Sequence, residues 1–307
     1  MLSSLEDSKT LFFSLSNNKV LRLELPEANG ARCFGSDWGW LIMVGKMGYS
    51  FLLNPFTRVV IDLPLQINPK AALLTYGHIN KAILLSPPVT TTNNSNFATV
   101  VVAIYCNSYL AFCRIGDEWW TVLGRNFKNI IFYYGRLYGI TRECDLKHVE
   151  LGPHPKVTSC DIAPPADEDL RLPNLQKSFY LVECLGELLM VIQCLFFDDF
   201  GFFLKFMPKI FKLDMNRRRW IKVENLGDQM LFLGKSTALS VSASDYPGFR
   251  GNCIYYTYNE HERYVDAKVH ETVAGVLHLE DNSIEPFISN DSGFSLSPPI
   301  WFTPVVL

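Results

Sequence analysis

Phe112-Cys113-Arg114-Ile115-Gly116-Asp117-Glu118-Trp119-Trp120 and Phe211-Lys212-Leu213-Asp214-Met215-Asn216-Arg217-Arg218-Arg219-Trp220 share one design. Each is a short apolar stretch, a polar turn and a tryptophan that opens the next stretch. Trp120 and Trp220 are 100 residues apart. Each precedes, by a similar distance, an apolar run closed by glycine: Ile131-Phe132-Tyr133-Tyr134-Gly135 and Leu231-Phe232-Leu233-Gly234. A small or polar residue followed by an apolar pair is a second landmark. It recurs as Gly39-Trp40-Leu41, Arg136-Leu137-Tyr138, Glu187-Leu188-Leu189 and Cys253-Ile254-Tyr255. Gly39 and Gly135 are 96 residues apart, Gly135 and Gly186 51, so the underlying unit is about 50 residues long.

Within a unit the pattern is that of short strands joined by turns. Leu11–Leu15 and Lys19–Leu25 flank Ser16-Asn17-Asn18. Gly39–Val44 and Ser50–Asn54 flank a Gly45–Gly48 turn, and Val59–Leu63 follows Asn54-Pro55-Phe56-Thr57. Ala71–Thr75, Ala82–Leu85, Thr99–Cys106, Leu110–Ile115 and Trp119–Leu123 continue the series. Runs this short, punctuated by Gly, Pro, Asn and Asp, read as antiparallel strands. Four strands per unit of about 50 residues is the pattern of a kelch-like β-propeller blade. A lone four-stranded sheet cannot cover both of its faces, so such units stack until each face has a neighbour. The fold class expected is all-β, with blade-like stretches near 31–64, 71–124, 128–152, 178–224 and 236–288. The Leu11–Leu25 hairpin and the strand Ile300-Trp301-Phe302 read as halves of a further blade that closes the ring. The expected count is therefore six, with five and seven left open. A pair of β-sandwiches is the rival reading, and it leaves the repeat unexplained.

A chain of 307 residues buries enough surface to fold without covalent staples. Its eight cysteines lie mostly in apolar runs and are expected to be reduced, small hydrophobes. A net charge of −3 gives no electrostatic footprint for nucleic acid or an anionic membrane. The start, MLSSLEDSKTLFFSL, is too acidic for a secretory or organelle leader. No apolar run is long enough to span a bilayer as a helix. A cytoplasmic or nuclear location is the expectation, with no nucleic-acid or membrane partner. Three loops stand out as rim loops where partners dock: Ser86–Asn96, Gly152–Asn174 and Ser242–Gly251.

Candidate chemistry is sparse. Cys144, His148, His154 and Cys160 invite a zinc reading, but their spacing fits structural zinc sites poorly; a surface loop is the simpler account. Asp199-Phe200-Gly201 spells a kinase metal-binding tripeptide without the other kinase motifs, and reads as a turn. No serine stands in a G-x-S-x-G elbow, and no cysteine at a helix start has a partner histidine. The acid pairs Asp198-Asp199 and Glu280-Asp281 would serve a propeller hydrolase only if they converged on a central funnel. Trp119-Trp120, Trp220 and Trp301 are expected to pack between blades rather than form a ligand shelf. Arg217–Arg219 reads as a solvated turn. No catalytic, cofactor-binding or metal-binding residue is assigned, no cofactor is expected, and partner-binding residues stay unknown.

The opening block carries a resemblance. Phe12-Phe13-Ser14-Leu15-Ser16, Val20 to Leu25-Pro26-Glu27 and Arg32-Cys33-Phe34-Gly35-Ser36-Asp37-Trp38-Gly39-Trp40-Leu41 come first. They lead into Leu52-Leu53-Asn54-Pro55-Phe56-Thr57 and Ile61-Asp62-Leu63-Pro64. Together they resemble the KIB-type β-propeller found in plant F-box proteins. Lys128-Asn129-Ile130 to Val149-Glu150-Leu151, and Tyr180-Leu181-Val182-Glu183 with Gly186-Glu187-Leu188-Leu189-Met190-Val191, continue the likeness. The resemblance implies a non-enzymatic domain, residues 11–307, that binds the protein substrate of a cullin ubiquitin ligase. A Skp-type adaptor would be a partner only through an F-box. Residues 1–10 are expected to be too short an extension to hold one, so an F-box would have to lie upstream or be lost. The alternatives are an interaction or decoy domain without a ligase role, and a propeller hydrolase acting on a small molecule or sugar.

Overall fold

In the computed structural model, residues 2–3, 9–14, 19–35, 38–45, 49–64, 79–88, 99–106, 108–171, 175–197, 203–234, 237–259, 272–286 and 301 are described. Among them regular structure is β-strand with a few short 3-10 turns. The strands that read as unbroken apolar runs lie in the middle of each sheet. Leu41–Val44 and Ser50–Leu53 are buried at every position, because a neighbouring sheet covers each face. Outer strands such as Val60–Asp62 and Arg219–Val223 alternate or face solvent. The period of two survives only where one side is wet.

Five sheets of four or five strands form the blades. Blade 1 holds β4 (Arg32–Gly35), β5 (Leu41–Val44), β6 (Ser50–Leu53) and β7 (Val60–Asp62). Blade 2 holds β8 (Ile79–Leu84), β9 (Val100–Tyr105), β10 (Tyr109–Arg114) and β11 (Thr121–Gly124). Blade 3 holds β12 (Phe127–Tyr133), β13 (Arg136–Thr141), β14 (Leu146–Glu150) and β15 (Lys156–Ser159). Blade 4 holds β16 (Leu175–Cys184), β17 (Glu187–Phe197), β18 (Phe203–Asp214) and β19 (Arg219–Val223). In these four, sequence order is spatial order and all pairs are antiparallel. Blade 5 departs from the pattern. Its order is β21 (Ala238–Ser242), β20 (Gln229–Leu233), β22 (Cys253–Asn259), β23 (Thr272–His278), β24 (Ile284–Pro286), and β20 runs parallel to β22.

Among the described residues the expected six blades are therefore five. The N-terminal hairpin does not wait for a C-terminal partner, because β1 (Leu2–Ser3), β2 (Lys9–Ser14) and β3 (Lys19–Glu24) form their own three-stranded sheet. Of Ile300-Trp301-Phe302 only Trp301 is described. It exchanges hydrogen bonds with Thr237 of blade 5 at 3.2 and 3.1 Å. The third stretch, expected to end near residue 152, runs on through β15. Prolines on both sides of Lys156-Val157-Thr158-Ser159 hid that strand. Ala71–Thr75 lies outside the described residues.

Neighbouring blades meet face to face through apolar clusters. Blades 1 and 2 share Phe34, Trp40, Ile42, Leu52 and Trp120 with Val101 and Ala103. Blades 2 and 3 meet through Phe112, Phe127 and Leu137, blades 3 and 4 through Ile140, Leu181, Met190 and Trp220, and blades 4 and 5 through Val191, Leu231 and Ile254. The N-terminal sheet covers the outer face of blade 1 through Leu23 and Leu25. The far face of blade 5 is covered by Tyr246, Phe249 and Trp301, packed against Phe232 and Tyr255. Ser242–Gly251 thus acts as a packing strap, where sequence suggested a display loop. Gly152–Asn174 likewise buries Ile162 and Leu170 against blades 3 and 4, while Asp169 bonds Lys209 of β18 at 2.6 Å.

First strands pack on one another in turn: β4 on β8, β8 on β12, β12 on β16 and β16 on β21. These strands form the inner edge, where backbone groups lack a ladder partner on one side. Asn129 of β12 answers that need. Its Nδ2 donates to Phe179 O at 2.6 Å and its Oδ1 accepts from Leu181 N at 3.3 Å, as a paired peptide would. Lys81 Nζ of β8 donates to the same Oδ1 at 2.6 Å. One buried amide thereby links three blades.

Candidate functional site

Because blades 1–4 repeat one zigzag around their inner strands, their connections between first and second strands and between third and fourth strands leave at one rim. Connections between second and third strands, and between blades, leave at the other. Three hydrogen bonds agree with this. Tyr133, ending β12, donates its hydroxyl to Gly186 O in the first turn of blade 4, at 2.8 Å. Arg114, ending β10, donates to Leu151 O beyond β14 at 2.8 Å. On the opposite rim Phe127 N, opening blade 3, donates to Ser108 O in the second turn of blade 2 at 3.0 Å.

The two rims differ in chemistry. Eleven large apolar side chains are exposed among the described residues, and seven lie on turns of the first rim: Trp38, Phe56, Val59, Trp119, Tyr134, Leu185 and Met215. Only Tyr49 sits on a turn of the opposite rim. Exposed apolar residues are ordinary when scattered; concentrated on one face they mark an interaction surface. Charged residues of both signs are interspersed: Asp117 and Glu118 beside Trp119, Glu183 and Glu187 around Leu185, Arg217 and Arg218 beside Met215. Burial, with Tyr134, Glu183 and Glu187 nearby, raises the pKa of the Tyr133 hydroxyl and keeps it a donor.

The tryptophan landmarks divide by position. Trp120 is fully buried between blades 1 and 2, edge-on to Tyr105, and its Nε1 donates to Pro64 O at 2.9 Å. Trp220 fills the equivalent place between blades 3 and 4. Trp119 is turned outward onto the rim. Arg217 and Arg218 sit on the exposed β18–β19 turn and Arg219 opens β19, with Arg217 paired to Asp214.

The residues of the zinc reading do not converge. Cys144 is buried in the core, and Cys160 packs half-buried against the same cluster. His148 stands on β14 near Glu150 at 3.5 Å, and His154 is exposed on the next turn. Among the described residues no three His, Cys, Asp or Glu side chains gather as a metal set. Glu280 and Asp281 are exposed on the β23–β24 turn, where Asp281 accepts from Ser283 N at 2.9 Å. Asp198-Asp199 and Asp199-Phe200-Gly201 lie outside the described residues.

One constellation escaped sequence reading. Cys253 and His278 are register partners on β22 and β23, and Cys253 Sγ lies 3.1 Å from His278 Nδ1. His278 Nε2 lies 3.6 Å from Glu285 Oε1. The order nucleophile, base, orienter is that of a thiol triad. Burial defeats it in this state: Cys253 is 1% exposed, its pKa is raised by desolvation, and Sγ also lies 3.1 Å from Gly251 O. Only the strand register, 25 residues apart in sequence, could have revealed the pair.

Blades stacked around inner strands, with an apolar rim of turns, define a β-propeller domain. The family model described as KIB1-4 beta-propeller matches residues 12–285. The chain belongs to the KIB1-4 β-propeller family, as the opening block had suggested. Similar curated proteins come from Arabidopsis thaliana. A putative F-box protein, At4g17565, is 26% identical, covering 80% of this chain and 66% of that protein. Another, At5g55150, is 28% identical over 82% and 75%. F-box protein KIB4 is 24% identical over 76% and 62%. The chain thus spans about two thirds of the length of the first of these relatives. Among solved structures the N-terminal domain of Nup159 is loosely similar, with a TM-score of 0.41 at 9% identity over 93% of this chain and 72% of that one.

Proposed function

We propose that this chain is a non-enzymatic protein-binding propeller that holds the substrate of a cullin ubiquitin ligase. The observation that carries the reading is the one-sided rim, where seven of eleven exposed large apolar side chains gather. The F-box names of the relatives support the ligase link, which would run through a Skp-type adaptor wherever an F-box accompanies the domain. Cytoplasm and nucleus, where such ligases work, are the expected sites of action. Within the same proposal the N-terminal sheet takes part in completing the ring. Arg58 on the last turn of blade 1 bonds Glu24 O and pairs with Glu27 at 2.9 Å. In the same way Ala163 N, beyond β15, bonds Arg218 O of the next blade at 2.9 Å.

The test is affinity purification of the full gene product from cells with the proteasome blocked. The comparison is a rim variant carrying Trp38→Asp and Leu185→Asp. A ubiquitinated protein retained by the natural chain and lost from the variant, together with a Skp-type adaptor, supports the proposal. A partner without adaptor or ubiquitin would favour the interaction or decoy reading. Identical recoveries from both chains would remove the rim from the account.

A further inference from the structure

The two tightest hairpins of the rim place bulky apolar side chains where the backbone disfavours them. Tyr133 pairs with Arg136 and Cys184 with Glu187, so Tyr134-Gly135 and Leu185-Gly186 are two-residue turns. All four central residues have positive φ: 45° and 70° in the first turn, 52° and 77° in the second. This is the primed hairpin turn, whose first central position normally holds Asn, Asp or Gly. A larger side chain is strained there. Tyr134 and Leu185 occupy it instead, 75% and 76% exposed. Leu185 joins none of the hydrophobic clusters among the described residues. Tyr134 recovers part of the strain against the Tyr133 ring, but for Leu185 packing among the described residues gives no return, so the return is sought outside the chain.

The two tips form one surface. Tyr133 donates to Gly186 O, and its ring meets that of Tyr134 edge-on at 4.7 Å. The Tyr134 hydroxyl lies 2.9 Å from where a Cβ on Gly186 would stand, so the two tips touch, and the φ of 77° there favours glycine. The turns differ in charge. Glu183 and Glu187 flank Leu185, while Arg136 is exposed on the Tyr134 turn. Lys212 answers Glu187 at 3.0 Å, whereas the Glu183 carboxylate bonds the amide of Gly186 in its own turn at 2.6 Å.

We propose that this paired tip is the docking site for an extended segment of a partner protein, which sets an apolar side chain between Tyr134 and Leu185 and a Lys or Arg beside Glu183. The inference rests on the protein-binding reading above and adds to it the place and the chemistry of the partner.

The test uses a phage-displayed library of random linear peptides, selected on the natural chain and counter-selected on Leu185→Asp. Enriched peptides should share an apolar residue neighboured by Lys or Arg. A synthetic consensus peptide, followed by fluorescence anisotropy, should bind about tenfold more weakly to Leu185→Asn and to Glu183→Lys, a loss of about 1.4 kcal/mol. Replacing its base by Glu should restore binding to Glu183→Lys. Leu185→Asn should melt at the same or a higher temperature, since Asn suits the turn, which separates lost docking from lost folding. Selected peptides that bind Leu185→Asp equally well would overturn this site and leave the protein-binding reading standing. No enrichment, an acidic consensus, or a lower melting temperature for Leu185→Asn would also overturn the proposal.

Discussion

Replacing Asn129 by leucine should be among the most damaging single changes that leave the volume of the core unaltered. Asn129 is 3% exposed and serves Lys81 Nζ, Leu181 N and Phe179 O. Leucine fills the same space and serves none of them. Each buried group that loses its bond to Asn129 costs about 1–3 kcal/mol, with the charged one toward the top. Partial rescue by water brings the sum to about 4 kcal/mol. For a chain of this size about 2 °C of melting temperature accompanies each kcal/mol, so the midpoint should fall by about 8 °C. Urea titration with tryptophan fluorescence gives the same quantity independently. Lys81→Met on the Asn129→Leu background removes the buried charge that loses the Asn129 acceptor. The pair should therefore be less destabilised than the sum of the single changes, by about 1–3 kcal/mol. A single variant melting within about 2 °C of the natural chain would refute the claim that this amide ties three blades together.

Other expectations follow from the same geometry. Trp120→Phe loses the bond to Pro64 O and part of a fully buried ring, and should cost about 2–3 kcal/mol by chemical denaturation. Trp301→Ala uncovers Phe232 on the last blade and, from a half-buried position, should cost about 2 kcal/mol; an unchanged melting curve would count against its packing on blade 5. Leu185→Asn should raise stability by about 0.5–1 kcal/mol by relieving the left-handed strain, read as a shift in the urea midpoint. Burial pushes the Cys144 thiol from its ordinary 9.0 to about 11 and Cys194 to about 12. The folded chain then keeps protons that the unfolded chain releases above pH 9. Stability is full below that value and declines as pH climbs toward 11 or 12. The two thiols together should remove about 2 kcal/mol between pH 9 and 10, and a flat profile there would contradict their burial.

Much of the architecture is legible because the blade repeat leaves local marks. Trp120 and Trp220 occupy equivalent interfaces, so their spacing reported the period directly. The all-buried runs Leu41–Val44 and Ser50–Leu53 announced strands covered on both faces. Long-range features left no such mark. The parallel contact of β20 with β22 needs the Ser242–Gly251 strap to cross between them, and a polar Ser/Gly stretch reads as a loop whether or not Tyr246 and Phe249 pack. Lys156–Ser159 was masked by prolines. The half-blades at the two ends suggested a sixth unit because pairing partners cannot be read from strand character alone. Of the rim, sequence offered the turns but not their common side. The strain at Tyr134 and Leu185 shows only in φ, although Tyr-Gly and Leu-Gly between strands were visible signals. Asn129 read as one polar residue in an apolar run, and its three partners lie 48 to 52 residues away.

Turnover of bound proteins examines the central claim most directly. The full gene product, natural or carrying Trp38→Asp and Leu185→Asp, would be expressed in Arabidopsis cells and ubiquitin-remnant peptides compared by quantitative mass spectrometry. The account predicts a small set of proteins whose remnants rise, and whose half-lives shorten, with the natural chain alone. Matching remnant profiles and half-lives for the two chains would contradict it.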